Sequence, residues 1–152
     1  MANPLDLVLS AIDEAYDRKS WHGTNLRGSL RRVSAGEALW RPGEGRHNVW
    51  ELAVHAAYWK YAVRRRLRGG KRGSFALKGS NWFAAPARAG EAEWREVLDL
   101  LDGEHRALRE AIAALPARAL DDRKTRQLLT GIAAHDLYHA GQIQLVKRLS
   151  PW

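Results

Sequence analysis

The stretch His135-Asp136-Leu137-Tyr138-His139-Ala140-Gly141-Gln142-Ile143-Gln144 decides how this chain is read. It lies within an apolar periodicity of Leu128, Ile132, His135, His139, Ile143, Val146 and Leu149. Steps of three and four predict a last helix from about Lys124 to Leu149. Histidines four apart on a helix stack on one face, with Cβ atoms about 6 Å apart. Two imidazoles so placed can share one divalent cation without distorting the backbone. Both face the core, where each needs a metal, a carbonyl or a carboxylate, because an unpartnered buried polar group is costly.

Three more helices are predicted upstream. Asn3-Pro4 reads as a cap followed by proline at the first helical position. Leu5, Val8, Leu9, Ile12, Ala15 and Tyr16 then line one face of a helix reaching about Lys19. Asn48 and Glu51 form a capping pattern for a second helix that stops at Gly69-Gly70, with Leu52, His55, Ala56, Trp59, Val63 and Leu67 inward. Glu51, one turn before His55, is assigned the capping role rather than contact with the histidine. A third helix spans about Glu91–Leu115, ends before Pro116, and carries His105 on its stripe.

The connections are long. Residues 20–47 are punctuated by glycine and could include a short helix over Asn25–Val33. Trp21, His22 and Trp40 are expected to plug the open side of the core, a reading compatible with the alternative that they line a substrate pocket. Residues 69–90 form a glycine-rich, basic second connection. Nothing alternates convincingly enough for a strand. The expectation is an all-α chain, one four-helix bundle over residues 1–152, with long 1–2 and 2–3 connections. Four histidines (55, 105, 135, 139) then share one small core, while His22 and His47 sit in loops.

Composition excludes several classes. Hydrophobic residues make up 45% of the 152, which rules out a disordered chain. With no cysteine there is no thiolate metal site, disulfide or cysteine nucleophile. The start lacks the pattern of a signal peptide and no apolar run is long enough to span a membrane, so a cytoplasmic protein is expected. The net charge of +8 is local. Residues 52–90 hold Lys60, Arg64, Arg65, Arg66, Arg68, Lys71, Arg72, Lys78 and Arg88 and no acid. The arginines of 64–66 span too much of the helix circumference to share one pocket, so most of the patch is expected to be solvated.

Asn48–His55 and Gly131–Leu145 together make the chain resemble the DinB-like family, related to bacillithiol transferases and mycothiol-dependent isomerases. Weaker matches are Trp21-His22-Gly23 and Asn81-Trp82. The resemblance covers nearly the full length. It implies an up-down-down-up bundle in which residues 69–90 cross its length, a homodimer, and a divalent metal on His55, His135 and His139. His105 lies outside that triad. Similarity to the damage-inducible founding member implies no role in DNA repair.

Three neutral imidazoles leave a coordination position open, the arrangement of a catalytic rather than a structural site. The ion expected is zinc or nickel, although such ligands also suit copper and iron. The resemblance implies activation of a small-molecule thiol for transfer to an electrophile. The alternative is a non-catalytic basic module, binding nucleic acid or an acidic partner, with a structural histidine cluster; no helix-turn-helix or zinc finger supports it. His135-Asp136-x-x-His139 is one residue from the H-E-x-x-H of zinc proteases. Asp136 would be a short-armed base there, and an all-helical chain argues against a protease.

Overall fold

Asn48 and Glu51 start the central helix reciprocally. The Asn48 side chain accepts from the Glu51 N–H at 2.9 Å, and the Glu51 carboxylate accepts from the Asn48 N–H. The helix stops where Gly69 takes a left-handed φ of 66°. The computed structural model describes residues 3–152. Its long helices are α1 (Pro4–Tyr16), α4 (Val49–Arg68), α5 (Glu91–Ala113) and α6 (Arg123–Leu149). Two short helices, α2 (Leu26–Ser29) and α3 (Ala35–Leu39), lie in the first connection, and a 3-10 turn (Ala117–Asp121) precedes α6. No strand occurs among the described residues.

Boundaries follow the caps. Asp122 accepts from the Thr125 N–H at 2.8 Å and opens α6. α1 stops at Tyr16 rather than near Lys19. The apolar periodicity ends there, and Asp17 and Arg18 both donate their N–H to the Asp13 carbonyl.

Contacts between helices fix their directions. Tyr16 reaches Asp102 and Asp13 reaches Arg109, so α1 runs against α5. Trp50 meets Trp94 and Arg64 meets Glu104, so α4 and α5 are parallel. His55 lies by His139 while Val63 clusters with Leu129 and Ile132, so α6 runs against α4. The order is up-down-down-up. A parallel α4–α5 pair requires residues 69–90 to travel the length of the bundle, as the resemblance implied.

The core has two apolar halves. One holds Leu26, Leu30, Trp50, Leu52, Trp94, Leu101 and Ile143. The other holds Leu5, Ile12, Val63, Leu108, Ile112, Leu129 and Ile132. Along α4, α5 and α6, the buried polar residues His55, Lys60, His105, Asp136 and His139 fall between them.

Two sequence expectations change here. α4 was read with one inward stripe, but Val49–Ala57 are all buried because α3, α5 and α6 surround that half. Trp40 packs on the core as expected, whereas Trp21 is 99% exposed and plugs nothing.

Candidate metal centre

His55 projects from the second turn of α4, and His135 and His139 from the middle of α6. Their Nε2 atoms converge: His135 lies 3.2 Å from His55 and 3.0 Å from His139. The three candidate ligand atoms all fall within 4.8 Å of one another. Spacing on α6 sets the His135–His139 pair, and antiparallel packing of α4 brings His55 to it.

The outer nitrogens explain why the inner ones converge. His55 Nδ1 donates to the Asn81 carbonyl at 2.8 Å, and His139 Nδ1 donates to Gln142 Oε1 at 2.6 Å. An oxygen acceptor at Nδ1 puts the proton there and leaves the lone pair on Nε2. Partners of this kind orient metal-ligating histidines generally. His135 Nδ1 is buried with no partner. A proton on His135 Nε2 could serve one of the two facing lone pairs, whereas a cation serves all three nitrogens. The donor set therefore fits a divalent metal.

Protonation agrees with that fit. Burial pushes His55 down to about 4 and His135 down to about 3, and it also lowers His139. All three are neutral near pH 7, the form that binds metal.

Aromatic groups rim the triad. Trp82 is sandwiched between His55, at 3.8 Å, and His47, at 3.6 Å. Trp59 Nε1 donates to Asn81 Oδ1 at 2.9 Å. Asn81 itself adopts φ 65°, a left-handed conformation that asparagine tolerates. Tyr138 stands edge-on to His139 at 5.2 Å.

Other candidates fall elsewhere. Glu51 caps α4 and is held by Arg41 Nη2 and Nη1, at 2.7 and 2.9 Å, and by His47. Burial works against its charge, yet Arg41 and His47 keep the carboxyl down at about 2. His105 stacks on Tyr16 at 3.7 Å near Asp13, away from the triad. His22 is exposed beside Ser20. Asp136 cannot be a protease base, because it points away from the triad to a buried ion pair with Lys60.

Lys60 corrects the reading of the basic patch. It is completely buried, bonded to Asp136 and 4.6 Å from the centre of the Tyr16 ring. Burial pushes the Asp136 carboxyl up, against the pull of Lys60. Arg64 pairs with Glu104 of α5 at 3.0 Å. Arg65 and Arg66 line one pocket together with residues of the 72–80 segment, and Arg64 does not share it. Sequence reasoning also missed the roles of Asn81 and Gln142. Gln142, three residues after His139, was accessible from helical spacing; the Asn81 contact is made by backbone across a loop, and no spacing announces it.

A helical bundle whose core gathers three histidines from two helices belongs to a class that builds metal sites from facing helices. The family model of the DinB superfamily matches residues 19–143, and the chain belongs to that superfamily. The match includes all three histidines. No curated protein and no solved structure matches the chain. No helix among the described residues is long and apolar enough to cross a membrane.

Proposed function

We propose that the chain is a divalent-metal-dependent enzyme in which His55, His135 and His139 hold the ion and a low-molecular-weight thiol is transferred to an electrophile. The observation that carries this is the convergence of three Nε2 atoms with the Nδ1 protons of His55 and His139 committed elsewhere. Zinc or nickel, when bound, would supply the Lewis acidity that favours a thiol as its thiolate. The chain's own residues do the rest. Asn81 and Gln142 hold two imidazoles in the ligating tautomer. Trp82 covers one face of His55 and keeps water from it. Trp59 and Tyr138 offer apolar edges to an incoming substrate. The assembly proposed is a homodimer.

The basic-module alternative loses support because Lys60 and Arg64 are neutralised inside the bundle. Elemental analysis of purified protein, followed by a thiol-dependence screen with model electrophiles, tests the proposal. Stoichiometric metal with thiol-dependent turnover is expected. Protein that neither carries nor takes up metal would end this reading.

A further inference from the structure

Several cations of this protein have a carboxylate: Lys60 has Asp136, Arg64 has Glu104, Arg27 has Asp102 and Arg41 has Glu51. Four others, the half-buried Arg65 and the exposed Arg66, Arg72 and Lys78, do not. Arg65, Arg66, Arg72 and Lys78 line one pocket of about 540 Å³, with Tyr58, Tyr61 and Phe75, and no acid lines it. Among the described residues none of the four is ion-paired.

The pocket is shaped by local structure. Arg65 Nη1 donates to the Gly70 carbonyl at 3.1 Å, and the Arg66 guanidinium rests 5.6 Å from the centre of the Trp59 ring. The Tyr61 hydroxyl accepts from the Ser74 N–H at 3.1 Å and from Ser74 Oγ, which leaves its own proton free to donate. Gly73 and Gly79 bend the opposite wall at φ 96° and 120°, where a side chain would be strained. A Cβ at Gly79 would lie in van der Waals contact with Phe83 at 3.4 Å. Like charges gathered around one cavity repel one another, and an anion between them relieves that repulsion. Arginine forks and a hydroxyl donor suit phosphate or carboxylate oxygens.

We propose that this pocket binds a compact small-molecule polyanion bearing phosphate or carboxylate groups. It is separate from the histidine triad, although Ser80 lines it and the next residue, Asn81, holds His55. The proposal does not rest on the metal reading.

The test is calorimetric titration of the chelator-treated full chain with inorganic pyrophosphate, at an ionic strength of about 0.15 M. Citrate, in parallel, distinguishes carboxylate from phosphate recognition. One saturable site is expected for at least one of the two anions. Arg65→Gln and Arg72→Gln should each weaken it at least about ten-fold, as loss of a charge-assisted hydrogen bond does. Arg95→Gln, an exposed arginine on α5, and His139→Ala should leave it unchanged. If Arg65→Gln disturbs α4, Lys78→Gln on the loop carries the same expectation. Absence of saturable binding by either anion at millimolar concentration would overturn the proposal. So would equal weakening by Arg95→Gln, or displacement of the anion by stoichiometric duplex DNA.

Discussion

Lys60 of α4 and Asp136 of α6 form a buried ion pair, and Asp136 directly follows His135 of the histidine triad. Removing one partner of such a pair strands a buried charge. Lys60→Met should therefore cost about 3–5 kcal/mol of stability in urea denaturation. The double variant Lys60→Met, Asp136→Leu should recover much of that loss. Equal instability of the single and double variants would show that the pair contributes by shape alone.

The ligand set gives a second prediction. Alanine at His55, His135 or His139 should each greatly weaken metal retention measured by elemental analysis, while His22→Ala and His47→Ala should leave it intact. Stoichiometric metal in the His135→Ala, His139→Ala double variant would refute the centre.

A third prediction separates backbone from side chain at the outer partners. Gln142→Ala removes the acceptor for His139 Nδ1 and should weaken metal binding about 10- to 100-fold. Asn81→Gly keeps the carbonyl and eases φ 65°, so affinity should change little. Asn81→Val strains that conformation and should weaken binding markedly. Competition with a chromogenic chelator ranks the three.

The fourth concerns pH in metal-free protein. Burial lowers His55 to about 4 and His105 and His135 to about 3, against about 6.5 in an unfolded chain. Between those values the unfolded chain binds protons that the folded chain refuses, so stability rises with pH. It should be full above about pH 6.5 and decline below it, each such histidine shifting the unfolding equilibrium up to about ten-fold per pH unit. Metal should add stability that persists through mild acid, because the folded ligands stay neutral there, and that falls only as pH approaches the lowered values of His55 and His135. Urea midpoints from about pH 8 to about pH 5, with chelator and with excess zinc, check both parts. A chelated protein equally stable across that range would contradict the neutral, buried histidines.

The four long helices were legible because each is written in local signals: Asn3, Asn48 and Asp122 as caps, Gly69 as a stop, and apolar steps between them. Histidine spacing on α6 was legible for the same reason. What was hidden depends on contacts distant in sequence. Lys60 reads as one more cation of a basic run until Asp136, seventy-six residues later, is folded against it. Trp21 reads as core because it is large, yet the short helices α2 and α3 cover the site it was expected to fill.

Parallel α4 and α5 also bear on how the protein reaches its native state. Neighbouring antiparallel helices can zip from a short turn, but these two must first close the loop of residues 69–90. The Asn81 carbonyl that orients His55 lies within that loop. Helical signal should thus appear in refolding before the histidine centre exists, and high-affinity metal uptake should coincide with the slowest phase of burial. Stopped-flow circular dichroism beside a zinc-sensitive dye would record the two events in that order. The convergence of the three histidines, on this topology, is among the last features the chain acquires.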